Sequence, residues 1–418
     1  MQQFGIVPFI APIDFNMDSQ ELNIYNEFVY QANANKRVIF SVPTTQATTV
    51  LTWTGVHTFI YAREINGVMT YNTAGNPTTT VTWEAGSTKR HVIVLTATEN
   101  ASFAVPSSAE WVYVGRGVSG ISISGNTVKY IHCFSLDSIT SISANAFLNK
   151  TLLTGTLTIP NSVSTIASSA FAGATGLTGS LTFHSGVTSI AINAFQNCTG
   201  LTGTLVFLNP DTTLADGCFS SCIFTGAFNP PANMTSIGSS VFSGNQFSGA
   251  CVIPAGVTSI GSTAFSGCNK FTSLTLNNAL TTINTNAFQN CTSLTGDLTI
   301  PASVTSILNF AFLSCTGLNG ALTILNKDIS IGTATNGAVF GSTAFTALNL
   351  PVGYVGNGAM GKLFNFSSNF SAASLNQSIL NLPDNFGTLT IGATNKTRWT
   401  TAFPSAQAAA NARGITIV

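Results

Sequence analysis

The sequence predicts a mainly β protein: an N-terminal β-sandwich, a solenoid of 23–24-residue coils and a small α/β cap at the C-terminus. Two observations carry the solenoid. Phe147, Phe171, Phe195, Phe219, Phe242, Phe265, Phe288 and Phe312 recur every 23 or 24 residues, and an aliphatic residue stands five positions before each, from Ile142 and Ile166 to Ile283 and Ile307. A unit this short cannot bury its own apolar face, so successive coils must stack on one another into a rod with a continuous core. The third observation is the change of pattern upstream, where short runs rich in β-branched and aromatic residues alternate with Gly, Asn and Pro, as in a sandwich.

In chain order, residues 1–36 form a leader with Pro8 to Phe15 extended and a short helix near Ser19 to Ala32. Its Phe4, Phe9, Phe15, Tyr25 and Phe28 present more apolar surface than so short a segment can bury on itself, which marks them as candidate attachment residues needing a partner surface. Residues 37–130 carry the sandwich strands, among them Val38–Phe40, Val50–Trp53, Val92–Leu95 and Trp111–Val114. Residues 131–350 are the solenoid. Each regular coil contributes a three-residue strand such as Leu181-Thr182-Phe183 or Leu298-Thr299-Ile300, whose outer residues point inward and whose Thr points out. Thr158, Thr182, Thr275, Thr299 and Thr323 are thus a candidate exposed ladder, broken at Val206, Asn229 and Val252. The Ala-Phe pair is expected on one short helical or 3₁₀ turn. At one irregular place Phe228-Asn229-Pro230-Pro231 replaces the strand, since proline removes a ladder donor, and the coil before it holds Asp211 and Asp216. Such an acidic pair can help hold Ca²⁺ or an oligomeric partner, though two carboxylates flanking a loop are more often simply solvated. Beyond Ile331 the register blurs, the rod ends near Leu350-Pro351, and residues 351–418 supply a cap with helices over Ser374–Leu382 and Ser405–Arg413 and a final strand from Ile415.

Composition excludes several functions. Lys+Arg 14 against Asp+Glu 14 gives zero formal charge, and no basic groove with aromatic interleaving is present, so neither nucleic acid nor an anionic membrane is an expected partner. No apolar run approaches the ~20 residues of a spanning helix. Cys198, Cys222, Cys268, Cys291 and Cys315 all stand three residues after the repeat Phe, which reads as a buried column of small hydrophobes rather than a metal or redox site. His57, His91, His132 and His184 lack periodic partners, and no nucleophile-base set, phosphate loop or zinc spacing can be assembled. The expectation is a protein that is no enzyme and needs no cofactor or metal.

The run Ile300-Pro301-Ala302-Ser303-Val304-Thr305-Ser306-Ile307, continued through Ala311-Phe312 to Cys315-Thr316-Gly317-Leu318, resembles the BspA-type leucine-rich repeat, and similar segments recur across residues 139–325. Thr80-Val81-Thr82-Trp83-Glu84-Ala85-Gly86 resembles the PKD-like sandwich domains that often precede such repeats. BspA-like proteins occur as surface adhesins and in bacteriophage proteins, so the resemblance implies binding by surface. The N-terminus Met1-Gln2-Gln3-Phe4-Gly5 shows no secretory pattern. Three readings follow: a phage virion fibre or surface decoration, assembled with other virion proteins or as a homo-oligomer; a bacterial cell-surface adhesin for host protein or glycan, with its export signal removed; and ice binding through the Thr row, which the breaks in that row disfavour.

Overall fold

The computed structural model describes residues 140–332, 339–355, 370–382, 384, 387–389 and 393–417, together with the backbones of ten strands between Arg37 and Cys133. The leader and its attachment residues Phe4, Phe9, Phe15, Tyr25 and Phe28 lie outside the described residues, as do the side chains of the 37–130 region on which a sandwich, PKD-like or otherwise, would depend. The strands there pair into a six-stranded sheet and two two-stranded ones. The chain divides into two compact units, residues 1–209 and 210–418.

In the first unit, strands Ser141–Ile142, Thr165–Ile166 and Ser189–Ile190 pair in parallel and in register, as do Leu181–Phe183 and Leu205–Phe207. One repeat length thus separates partners. The inward side chains stack in columns: Phe147 lies 4.8 Å from Phe171, and Phe171 lies 5.0 Å from Phe195, with rings within 13° of parallel. In the second unit a column of its own runs from Phe219 through Phe242, Phe265, Phe288 and Phe312 to Phe340. It is flanked by a five-stranded parallel sheet of Ser236–Ile237, Ser259–Ile260, Thr282–Ile283, Ser306–Ile307 and Ser330–Ile331.

The Ala-Phe turn is not the helical or 3₁₀ turn expected from sequence. The residues two before and two after each Phe have left-handed backbones, as at Asn193 (φ 56) and Asn197 (φ 60), or Thr263 (φ 54) and Gly267 (φ 76). Asn, Ser and Gly predominate there because short polar residues and glycine tolerate this region best. Interleaving left- and right-handed residues stops a helix from propagating and sends alternate N–H groups in different directions. Ala170 N and Ala172 N close turns within the coil, on Ala167 O and Ser169 O, whereas Ser169 N, Phe171 N and Gly173 N reach the next coil at Ile192 O, Ala194 O and Gln196 O, 2.7–3.0 Å away. The turn is therefore part of the stacking ladder.

Repeats also touch backbone to backbone. A Cβ added at Gly200 would lie 2.2 Å from Leu177 O and 2.4 Å from Thr175 O, so only glycine fits that corner.

The repeat register does not stop at Ile331. Phe340, 28 residues after Phe312, stacks on it at 5.3 Å, and strand Ala347–Asn349 pairs with Ala321–Ile324, so a longer coil closes the series. The outer edge of Ala347–Asn349 is met by helix α1 (Ala372–Leu380), which Ser371 N-caps by accepting from Ser374 N. Ser374 Oγ accepts from Leu348 N at 2.7 Å, Ser378 Oγ donates to Leu348 O at 2.5 Å, and Asn381 Nδ2 donates to Leu350 O at 2.6 Å. These side chains satisfy groups that a strand edge would leave open. Besides α1 and α3 (Ala406–Ala412), near the two helices read from sequence, the structure has α2 (Ala393–Ala402), which that reading lacks. Its Thr397, Thr400 and Thr401 are weak helix formers, but tertiary contacts hold it: Trp399 is fully buried and Arg398 donates to Phe370 O at 2.8 Å. Strand Ile415–Ile417 pairs in parallel with Gly387–Leu389.

Candidate interaction face

Strand alternation decides which residues the coils offer outward. Leu181 and Phe183 are buried and Thr182 exposed; Leu298 and Ile300 are buried and Thr299 exposed. In the first unit Thr182 stands beside Val206. In the second, Val252 stands beside Thr275, and on a separate three-stranded sheet Thr299, Thr323 and Asn349 lie side by side, with Asn349 Nδ2 donating to Thr323 Oγ1 at 3.0 Å. Thr275 is exposed, whereas Thr323 and Thr158 are half-buried. The first coil pairs through Gly155–Thr156 with Leu177–Thr178, and Thr158 itself lies outside any strand. The five threonines are therefore not one uniform ladder.

A second hydroxyl row escaped the sequence reading although its signal was periodic: Ser or Thr stands seven residues before every repeat Phe from Phe147 to Phe312. In the second unit Thr258, Thr281 and Thr305 each donate Oγ1 to the carbonyl of the preceding coil, on Thr235, Thr258 and Thr281, at 2.9–3.2 Å. In the first, Ser164 and Thr188 donate likewise to Thr140 O and Ser164 O. Thr188, Thr258, Thr281 and Thr305 are exposed. Their protons are engaged along the stacking direction, which leaves hydroxyl lone pairs and γ-methyl groups toward solvent.

The irregular coil resolves into capping contacts. Asp211 Oδ1 accepts from Asn233 Nδ2 at 2.8 Å, and Asp216 Oδ1 accepts from Ser239 N at 2.8 Å, so the two carboxylates serve different turns. Among the described residues no group of three or more His, Cys, Asp or Glu is placed to hold a metal ion. Pro230 is half-buried and Pro231 buried, and in place of a strand the coil makes one isolated bridge, Ala227 to Ser248. Phe228 instead turns inward, edge-on to Phe242 at 5.0 Å and Phe265 at 5.3 Å.

The cysteine column is buried, and its thiols have an acceptor. Cys268, Cys291 and Cys315 donate to Phe242 O, Phe265 O and Phe288 O, the carbonyl one coil back, at 3.0–3.2 Å; in the first unit Cys198 donates to Phe171 O. Where the position holds Asn245, its amide takes the same role, donating to Phe219 O at 2.9 Å. Burial pushes the Cys268 and Cys315 thiols up to about 12 and raises Cys251 and Cys291 well above the usual range, which suppresses the thiolate needed for metal binding or nucleophilic attack. The first position of the column is Lys150, 4 % exposed, whose ammonium burial pulls below the usual lysine range.

His184 is structural as well. Gly186 N donates to its Nδ1 at 3.1 Å, leaving Nε2 to donate to Pro160 O at 2.8 Å. In the other unit Asn277 makes the equivalent clamp, donating to Pro254 O and accepting from Ala279 N. No helix among the described residues is long and apolar enough to cross a membrane.

The model of the family described as BspA type Leucine rich repeat region matches residues 140–250 and 248–359, in six copies. No curated protein matches the chain. Among solved structures it is similar to a leucine rich cell surface protein from Faecalibacterium prausnitzii, with 23% identity, 57% of this chain and 78% of that one covered, and a TM-score of 0.35. A leucine-rich repeat protein from Bacteroides ovatus is similar at 18% identity, over 69% of this chain and 78% of that one, with a TM-score of 0.38. The T. pallidum leucine rich repeat protein is similar at 23% identity, over 50% of this chain and 83% of that one, with a TM-score of 0.31.

Proposed function

We propose that this chain, which belongs to the BspA-type leucine-rich repeat family, is a non-enzymatic protein displayed at a surface and acting by contact. The observation that carries this reading is the division of labour within each coil: the Phe, Ile and Cys columns are consumed by the core, and what remains outside is mostly uncharged, including Thr182, Val252, Thr275, Thr299 and Asn349, with scattered charges such as Lys270, Asp297, Lys327 and Asp328. A stacked surface of this kind offers a broad contact area in place of a cleft.

Two placements of that surface are proposed. One is the exterior of a virus particle, as a fibre or decoration, with Phe4, Phe9, Phe15, Tyr25 and Phe28 seated on other virion proteins or on a second copy; the surplus of apolar residues in 1–36 favours it. The other is a bacterial cell surface, where the protein would meet a host protein or glycan; membership of the BspA-type repeat family supports it, because surface adhesins are among the proteins that carry such repeats. Antibody labelling of intact particles and of intact cells tests both. Label on one of the two surfaces is the expected result, and label reached only after cells are opened, with none on particles, refutes surface display.

A further inference from the structure

We draw no further inference here: the strongest candidate, the exposed apolar side chains Leu325, Val352, Val355 and Leu380 where the last coil meets α1, is an unpartnered surface patch, and nothing in the structure shows what covers it.

Discussion

Phe265→Ala tests the stacked core at a point crowded with aromatic rings. The ring is fully buried and touches four others: Phe242 at 5.6 Å and Phe288 at 5.2 Å in the column, with Phe228 at 5.3 Å and Phe271 at 6.1 Å edge-on. Burying such a side chain is worth roughly 1.5–3 kcal/mol of transfer free energy. The void left by truncation raises the loss to about 3–5 kcal/mol. Aromatic pairs add ~0.5–1.5 kcal/mol each beyond burial, so the upper end of that range is the expected cost. Thr275→Ala, on the exposed side of a strand one repeat on, should change stability by less than about 0.5 kcal/mol. Urea unfolding of the full chain, with amide exchange read on peptides from 242 to 312, measures both. Because coils couple mainly to their neighbours, protection should fall in the coils around Phe265. Equal losses for the two variants would show that the inner and outer faces are assigned the wrong way round.

Gly200→Ala places a methyl against two backbone carbonyls that side-chain motion cannot relieve, and should lower the melting temperature by the equivalent of ~1–3 kcal/mol; an unchanged melt would refute the close backbone stacking at that corner. The thiols of Cys251, Cys268, Cys291 and Cys315 should resist alkylation in the native protein at pH 8 and react fully in denaturant, and fast native labelling would refute their burial. Since burial holds the Cys268 and Cys315 thiols up at about 12, above the ordinary thiol value of about 8.5, the stability these two contribute is intact below that ordinary value and is lost as pH rises toward about 12. Alkaline melts should therefore fall, and Cys268→Ala should flatten that slope; a slope unchanged by the substitution would assign it elsewhere. Deleting residues 1–36 should leave the melting of the repeats unaltered while abolishing incorporation into the particle or oligomer, and normal assembly of the truncated chain would remove the leader as anchor.

The repeat period, the identity of the inward columns and the outward position of residues such as Thr182 and Thr299 were legible in the sequence because each depends only on spacing: side chains one period apart must meet when coils stack. The absence of Trp, Tyr and Arg between Tyr130 and Tyr354 was equally plain, and it bounds what chemistry the outer face can offer. The left-handed turns were not legible as such. Asn193, Asn197, Ser221 and Thr263 are compatible with several turn conformations taken singly, and only the demand that alternate N–H groups reach the adjacent coil selects this one. The coil of Phe340 was hidden because it is longer than the rest, and helix α2 because its threonines argue against a helix that Trp399 and Arg398 hold through tertiary contacts. Asp211 and Asp216 suggested a shared site by closeness in sequence, yet each carboxylate was drawn to a different turn of the following coil. Periodicity thus determined what lies inside each repeat, while the pairing of polar groups between repeats was decided by three-dimensional stacking, since a hydrogen bond needs a particular partner at a particular distance and burial needs only an apolar side chain.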